Sequence, residues 1–587
     1  MKNHFSFLIL FLLYGHFTIS QNLPSFPGAE GFGAGADGGR GGPVIYVTNL
    51  NAAGPGSFND ALAVPGKKYI LFKVSGLIDA AAELVYGDAT IAGQTSPGGI
   101  IVRGFVIDEV YDTIGTGDNI IIRHIRSRPR DPVDFPSPNF ILDDAFRLDG
   151  ARNVIADHCS FANAIDECVQ ISQSSKITIQ NTSLAETIGD HYYLGGMLMN
   201  YSTPEHPQDS ISIHHNVWNR LGGRLPELSC ESPYCSSRSL NLELSDNLIW
   251  DETINVWYNS GIDPTAPAPI DSFFMNLNLI NNLGFSRSSF TNGMFAHNLL
   301  ELGANSIYAN GNHLNIFPAY SDYDLFYCCN DFDQTGNNPN TDLGIANILS
   351  NRHPFPVISY TPSSSLINYI YTNNGAFPRD SMDRRLFSPL HSGIIDLTPI
   401  DTLDHYGDAF LADFSTISPP PSPLDSDDDG MPDYWEASHG LNPSVQDHNG
   451  TSLSLAVTGV AGYTNLECYL NCLSDFLVNG SSASPCGILA GMDVLQNSNK
   501  SQIDVFPNPV ADLLTIDASA LFTSHVKKQK IEDVKVYTIL GEKIVFSQPK
   551  IKSSQEFILD FSDQPSGIYF IRIRTTDDML TKKIIKR

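Results

Sequence analysis

A degenerate internal repeat constrains the fold of this chain more than any other feature of its sequence. Alternating small or aliphatic residues followed by a polar corner recur in six stretches, which begin at Val154, Ile177, Ile211, Leu242, Leu277 and Ile307. Alternation with a period of two indicates strands with one buried and one exposed face. One unit per 23–35 residues, built from strand and loop, predicts an all-β fold, a right-handed parallel β-helix.

Asparagines recur at one register of this repeat. They are Asn216, Asn247, Asn282 and Asn312, with spacings of 31, 35 and 30 residues. An asparagine at a fixed corner of stacked coils can hydrogen-bond to its equivalent in the next coil, so we predict a ladder along the helix. A β-sandwich is the alternative architecture, but it does not require asparagine at a repeated position.

Composition excludes two broad classes of protein. The 587 residues include 35 Lys and Arg against 64 Asp and Glu, a formal net charge of −29, and 42% are hydrophobic. That apolar content supports a large core and excludes a disordered acidic polymer. The negative charge argues against nucleic acid as a partner, because phosphate binding needs a basic face. We expect a monomer.

The chain begins with a candidate export signal. Lys2 precedes an apolar run from Phe5 to Leu13, and small residues lead to Gln21, a pattern typical of a signal peptide. The run is too short to span a membrane, and no later segment is long and apolar enough to do so. The predicted organisation is signal peptide 1–20, β-helix domain 21–414, Pro/Ser linker 415–424, acidic segment 425–486, linker 487–502 and β-sandwich tail 503–587.

The nine cysteines suggest disulfides in an exported chain. Cys230 and Cys235 bracket a short loop and form the candidate bridge, whereas Cys159 and Cys168 lie in strand-like stretches and are predicted core thiols. A second disulfide is possible among the three cysteines of the acidic segment, namely Cys468, Cys472 and Cys486.

The acidic segment fits an EF-hand calcium loop. Alternate carboxylates around a glycine turn can wrap one hard cation, and a glutamate at position twelve closes such a loop. The predicted ligands at positions one, three, five, nine and twelve are Asp425, Asp427, Asp429, Asp433 and Glu436. We expect calcium here to rigidify the linker and not to take part in catalysis.

Two other features suggest functions that we reject. Gly33, Gly35 and Gly38 match a dinucleotide-binding pattern, but they precede a strand instead of following one, so we expect a turn-rich cap over the first coil. His214 and His215 suggest a metal site, but adjacent strand residues point to opposite faces, so we expect them to be structural.

Four segments, residues 26–48, 91–99, 144–161 and 214–226, resemble secreted bacterial pectate lyases. The resemblance covers about 21–400 of this sequence. In that family a parallel β-helix binds an acidic polyuronide, calcium bridges protein and substrate carboxylates, and an arginine removes the proton at carbon five. The resemblance therefore implies an extracellular, calcium-dependent lyase that acts on pectate, pectin or a related acidic polysaccharide of plant type.

The resemblance also implies roles for particular residues. Arg224 matches the family's catalytic arginine within its Arg-Leu-Pro motif. A guanidinium is a poor base in water, so it needs neighbouring cations and desolvation to favour its neutral form. Asp144 and Asp166 match family calcium ligands, Glu167 adjoins them, and Gln170 stands where the family often has a third carboxylate.

Two cations of the family's groove are missing. The groove lysine has no counterpart, and Ser229 stands where a second arginine is expected. The candidate substrate contacts in their place are His191, Tyr192, Arg220 and Arg238, with Arg128 and Arg130 as further sources of positive charge. A groove with fewer cations favours methyl-esterified pectin or another polyuronide. The alternatives are a β-helix glycoside hydrolase, which needs two carboxylates flanking the bond, and a non-catalytic glycan-binding β-helix.

Residues 505–510, 534–544 and 565–573 and the basic C-terminus resemble the sorting domain of the type IX secretion system. That resemblance implies a Bacteroidota-type bacterium, export across the outer membrane by the type IX machinery, and removal of the domain on export. Such an address is read by a receptor and says nothing about catalysis.

Overall fold

The six repeated stretches stack on one another in a computed structural model of the chain. Parallel pairing joins their first residues in order, Val154 to Ile177, Ile211, Leu242, Leu277 and Ile307. All six side chains are fully buried. The repeats found in the sequence are therefore consecutive coils of a parallel β-helix with an aliphatic interior.

The structure describes the β-helix and the acidic segment over most of their length. These parts comprise residues 23–110, 116–129, 143–187, 195–221, 223–228, 239–250, 274–287, 293–296, 305–327, 348–395 and 421–479. The C-terminal part comprises 504–506, 510, 512–517, 531–538, 543–544, 550–553, 556–562, 564–565, 567–575 and 579–586. The chain forms two compact units, Met1–Cys486 and Gly487–Arg587.

Three parallel sheets form the walls of the β-helix, and each coil contributes a strand to them in turn. Sheet 1 contains Val44–Val47, Lys68–Phe72, Ala89–Ala92, Asp118–Arg123, Arg152–Asp157, Ser175–Gln180, Asp209–His214, Ser239–Ser245, Phe274–Ile280 and Ser306–Asn310. Sheet 2 contains Gly76–Leu77, Ile100–Val102, Ile125–Ser127, Ser160–Ala162, Ser183–Ala185, Val217–Asn219, Leu248–Trp250, Leu283–Phe285 and His313–Leu314. Sheet 3 contains Ala82–Leu84, Phe105–Asp108, Phe146–Asp149, Val169–Ser172, Met197–Met199 and Glu227–Leu228. A short parallel pair, Phe295–Ala296 and Phe326–Tyr327, follows.

The corner between sheets 1 and 2 is built in the same way in successive coils. The residue before each ladder asparagine has left-handed backbone, with φ of 54°, 53°, 53° and 78° at His215, Asp246, Asn281 and Gly311. This conformation costs a non-glycine residue about 1–2 kcal/mol, so the stacked coils must stabilise it. It turns the next side chain inward, which places the asparagines on the ladder.

The predicted asparagine ladder is confirmed and is longer than predicted. The side-chain amide of each asparagine donates to the next across 3.1, 3.1 and 2.9 Å. At one end Thr182 N donates to Asn216 Oδ1 at 2.9 Å, and Cys159 N donates to Thr182 Oγ1 at 3.2 Å. At the other end Asp322 Oδ1 accepts from Asn312 N and Nδ2.

Helices add to the strands, so the all-β prediction is incomplete. Helix α1 is Phe58–Leu62, α2 is Ser363–Asn373 and α3 is Ser381–Ser392. Helices α2 and α3 cover the outer face of sheet 2, where Leu366, Ile370, Met382, Leu386, Phe387 and Leu390 pack against Ala162, Ala185, Val217, Leu248 and Trp250. The signals for α3 were present in the sequence, because Asp380 caps its start and Gly393 follows its end.

The glycine-rich start runs along the outer face of sheet 1, so its prediction as a cap over the first coil is wrong. Gly39 N donates to Thr90 Oγ1 at 2.9 Å and Gly33 N donates to Thr178 Oγ1 at 2.8 Å, three coils further on. A Cβ on Gly33 would lie 2.2 Å from the carbonyl oxygen of Val154. Glycine is needed here because the segment lies directly on the backbone of the sheet.

The acidic segment contains helices α4 (Asp433–His439), α5 (Ser454–Thr458) and α6 (Asn465–Asn479). The last of these has 15 residues. Every helix among the described residues is too short or too polar for a membrane span.

The described cysteines divide into thiols and one bridged residue. Cys159, Cys168 and Cys468 are free and buried, which confirms the first two as core thiols. Cys472 is disulfide-bonded to a cysteine outside the described residues. Cys230 and Cys235 also lie outside the described residues.

The C-terminal unit consists of two antiparallel sheets that share one apolar core. One contains Asp504–Phe506, Leu513–Asp517, Glu556–Asp560 and Lys550–Ser553, and the other Lys543–Ile544, Ile531–Thr538, Gly567–Thr575 and Met579–Lys586. Leu514, Ile516 and Leu559 of the first sheet join Val536, Ile571 and Ile573 of the second in that core. Two small sheets packed in this way form the predicted sandwich.

Candidate active site

Three acidic side chains converge where two neighbouring strands of sheet 3 begin. Asp144 lies two residues before the strand Phe146–Asp149, and Glu167 lies two residues before its parallel neighbour Val169–Ser172. Glu167 N donates to Asp144 Oδ1 at 2.9 Å. Asp166 precedes Glu167, and each of the three acids has a carboxylate oxygen within 4.8 Å of the others. Stacking thus brings together acids that are 22–23 residues apart in the sequence.

Burial gives this acid cluster its electrostatic character. Asp144 and Glu167 are buried, while Asp166 is partly exposed. Burial raises the pKa of Asp144 well above its ordinary value, with Arg147 opposing the rise and Asp166 adding to it. A divalent cation would offset the cost of holding three carboxylates together, and oxygen donors of this kind suit calcium.

Arg224 reaches the acids from the turn before the strand Glu227–Leu228. Its Nη1 donates to Glu167 Oε1, and its Nε donates to Glu227 Oε2 at 2.9 Å. The carbonyl oxygen of Arg224 accepts from Met197 N at 2.6 Å, which fastens the turn to the preceding coil. The side chain is 17% exposed, so part of the guanidinium remains accessible beside the acids.

Gly196 permits this close approach. A Cβ built on Gly196 would lie 2.3 Å from the carbonyl oxygens of both Gly223 and Arg224. Any larger residue would displace the turn that carries Arg224. The need for glycine here follows from the stacking of two coils, and local sequence pattern gives no sign of it.

Arg147 is the cation of this site that sequence reasoning missed. Its Nη1 donates to Asp144 Oδ2 at 3.1 Å and to Gln170 Oε1 at 3.0 Å, and its Nε donates to Asp149 Oδ2 at 2.5 Å. Among the described residues nothing accepts a hydrogen bond from Nη2, and the side chain is 13% exposed. The signal was available, because strand alternation places residues 147 and 149 together on the outer face.

Gln170 lies beside this arginine. Its Oε1 accepts from Arg147, and its Nε2 donates to Ser172 Oγ at 3.0 Å. The amide oxygen is a calcium-type donor without charge, and it would have to release Arg147 in order to bind an ion. Three carboxylates and one amide oxygen fit calcium as a donor set, with the charge of two nearby arginines opposing the affinity.

The other predicted substrate contacts divide into buried arginines and residues that are not described. Arg220 is 5% exposed with its Nη1 3.4 Å from Glu186, so it has little surface to offer, and its contact with substrate stays a prediction. Arg128 is 1% exposed and ion-paired with Asp380 and Asp383, so it does not face a substrate. His191, Tyr192, Arg130 and Arg238 lie outside the described residues.

The acidic segment forms a second acid cluster. Asp425, Asp427 and Asp429 converge within 4.8 Å, and so do Asp429, Glu436 and Asp447. The predicted ligand Asp433 belongs to neither group. Its two oxygens instead accept hydrogen bonds from Ser426 N at 2.7 Å and from Ser426 Oγ at 2.6 Å. Asp447 lies beyond the twelve-residue loop and was not predicted.

Comparisons with known proteins found relatives for most of the chain and a family match for its C-terminal domain. The family described as the secretion system C-terminal sorting domain matches residues 504–587. The protein named "Probable pectate lyase C" of Aspergillus oryzae is 29% identical over 475 residues, which cover 78% of this chain and 95% of the fungal protein. Its namesake from Aspergillus terreus is 29% identical over 479 residues, with 79% and 98% covered. The solved pectate lyase of Bacillus sp. N165 in complex with trigalacturonate is 14% identical and covers 59% of this chain and 98% of its own, with a TM-score of 0.37.

The stacked parallel coils, with acids and an arginine beside one of their sheets, form a parallel β-helix, and the relatives are named as pectate lyases, a class of polysaccharide lyase. Over most of its length the chain is similar to proteins named as pectate lyases, and it ends in a secretion system sorting domain, which implies a secreted or cell-surface location.

Proposed function

We propose that this protein is an extracellular, calcium-dependent polysaccharide lyase that cleaves pectate or a related polyuronide by β-elimination. The observation that carries the proposal is the contact between the partly exposed guanidinium of Arg224 and the buried acid cluster on sheet 3. The fungal relatives named as pectate lyases, aligned over nearly their full length, support it.

The chemistry follows from the position of Arg224. Glu167 and Glu227 hold the side chain in place, and its deprotonated, neutral guanidine form would accept the proton from carbon five of the uronate. The electron pair of that C–H bond forms a double bond between carbons four and five. The C4–O glycosidic bond breaks, and the departing oxygen keeps its electrons and takes a proton from water.

Asp144, Asp166, Glu167 and Gln170 are the proposed calcium ligands. A calcium ion held by these residues would supply positive charge that stabilises the negative charge developing on the uronate carboxylate, and it would offset the charge of Glu167 beside Arg224. Arg147 supplies a fixed cation in the groove, and its free Nη2 donors suit a substrate carboxylate.

The acidic loop is proposed as a second calcium site, with Asp425, Asp427, Asp429 and Glu436 among its ligands. The sorting domain is proposed to direct the chain through the type IX machinery after removal of a signal peptide at 1–20.

The test is to incubate the protein with polygalacturonate and calcium and to follow ultraviolet absorbance from unsaturated uronide. Arg224→Ala should lower the rate by at least about 10²-fold, as expected for loss of a positioned base. Arg152→Ala is the matched control, because Arg152 is exposed on sheet 1. Full turnover by the Arg224 variant would exclude Arg224 as the catalytic base. New reducing ends without absorbance would indicate a hydrolase, and binding without products a glycan-binding protein.

A further inference from the structure

The acid cluster of the acidic segment extends beyond the predicted loop. Asp429 belongs both to the group with Asp425 and Asp427 and to the group with Glu436 and Asp447. Asp447 lies eleven residues after Glu436 in the sequence. Its backbone N–H donates to Asp429 Oδ2 at 3.0 Å, which holds it against the loop.

Several carboxylate oxygens of this cluster are buried without a hydrogen-bond partner. They are both oxygens of Asp427, both oxygens of Glu436 and Oδ1 of Asp447. Glu436 is fully buried, so its charge has neither water nor a protein donor to stabilise it. Such burial is strongly unfavourable unless a cation is bound.

Among the described residues, none of these five acids is ion-paired with lysine, arginine or histidine, whereas Arg147 and Arg224 contact the acids of the active site. Five oxygen-donor acids without a counter-charge fit a calcium ion, which takes six to eight oxygen ligands. The loop that carries them turns at Gly430, whose φ of 100° favours glycine.

The same loop is joined to the first strands of the β-helix. The Tyr46 hydroxyl, on the strand Val44–Val47, donates to Asp425. Lys73, which follows the strand Lys68–Phe72, lies 2.6 Å from Asp428, and its Nζ lies 3.7 Å from the centre of the Tyr46 ring.

Helix α6 makes further contacts with this end of the β-helix. Arg40 Nε lies 2.9 Å from Glu467 Oε1, and the Tyr69 hydroxyl lies 3.1 Å from Thr464 Oγ1. The acidic segment is therefore attached to the β-helix both at the loop and at the start of helix α6.

We infer that one divalent cation, bound by Asp425, Asp427, Asp429, Glu436 and Asp447, clamps the acidic segment onto the first coils and stabilises that end of the β-helix. The inference rests on the proposed calcium loop and adds to it a ligand outside the loop and a function in the lyase domain. Calcium is the predicted ion because all donors are oxygens.

The experiment uses the full chain stripped with chelator and then titrated with calcium chloride. Asp166→Asn is the background for every variant, so that the active-site acids contribute less to the signal. Calorimetry measures calcium affinity, and hydrogen exchange measures protection of Val44–Val47 and Lys68–Phe72. We expect calcium to raise that protection, and we expect Glu436→Gln and Asp447→Asn each to lower the affinity at least about tenfold, the effect of roughly 1.4 kcal/mol.

Asp433→Asn is the matched control, because Asp433 binds Ser426 and lies outside both groups, and its calcium affinity should change less. Wild-type affinity in Asp447→Asn alone would overturn the added ligand and leave the proposed loop. Wild-type affinity in both Asp447→Asn and Glu436→Gln would overturn the added ligand and the proposed calcium loop together. Calcium binding without a change in exchange of the two strands would overturn the clamp.

Discussion

Arginines contact the acids of the active site from two sides. Arg147 reaches Asp144 from within sheet 3, and Arg224 reaches Glu167 from the turn of a later coil. Their charges hold the buried carboxylates together and at the same time compete with a metal ion for the same oxygens. The family resemblance identified Arg224 because a motif marks it, whereas Arg147 belongs to no motif and was found only through its contacts.

Arg147→Gln is predicted to weaken substrate binding and to strengthen metal binding. Loss of the charge-assisted contact to a uronate should raise KM about tenfold, since such a bond contributes about 1.5–3 kcal/mol. Calcium affinity should increase, because a competing cation leaves Asp144. Steady-state kinetics and calorimetry without substrate measure the two effects, and Arg147→Lys should restore part of the first. Unchanged KM in the glutamine variant would exclude Arg147 from the groove's binding surface.

His214 is predicted to limit stability in acid. It and His215 are buried with their Nδ1 atoms 3.0 Å apart, because the left-handed backbone of His215 cancels the expected alternation. Burial lowers the pKa of His214 from 6.5 to about 4. Below pH 6.5 the unfolded chain therefore binds a proton that the folded chain excludes, and the free energy of unfolding falls by up to roughly 3 kcal/mol as the pH approaches 4.

Urea unfolding between pH 7 and 4 measures this effect. His214→Gln should give a shallower loss of stability on acidification, while His391→Gln, at an exposed position of α3, should follow the wild type. Parallel curves for the wild type and the His214 variant would contradict the assignment.

Elements of the β-helix are held in register by the ladder as well as by strand pairing. Each ladder asparagine bonds to the coils on both sides, and Asp322 terminates the row where no further asparagine follows. The asparagine spacing predicted this row correctly. The spacing did not predict its continuation through Thr182 and Cys159, because a hydroxyl and a thiol carry no comparable sequence signal.

Asn247→Ala is predicted to lower the free energy of unfolding by about 2–3 kcal/mol, because buried donors of Asn216 lose their acceptor. The matched control is Asn351→Ala at an exposed position, where the side chain bonds, within the described part of the chain, only to the neighbouring Ser350 and the change should stay within about 0.5 kcal/mol. Denaturant unfolding compares the two variants, and equal losses would mean that the ladder adds nothing beyond ordinary side-chain removal.

In the whole molecule, the proposed active site and the sorting domain lie in different compact units. Both acid clusters and Arg224 lie in the unit Met1–Cys486, and the sorting domain lies in the unit Gly487–Arg587. The acidic segment, which looks like an appendage in the sequence, belongs to the first unit through its contacts with the β-helix. The proposed clamp therefore acts at this scale, since it couples a local ion site to the stability of the lyase domain.

The sequence by itself determined the coil repeat and the ladder positions, and its resemblance to pectate lyases marked the acids at the start of two strands and the arginine beside them. Periodicity and motif encode these, because stacked coils repeat the same local requirements. Only the tertiary structure decided that α2 and α3 cover sheet 2, that Arg147 holds Asp144, and that Asp447 joins the acidic loop. Such contacts join residues with no periodic relation, as Tyr46 and Asp425 are 379 positions apart, so no local pattern can specify them.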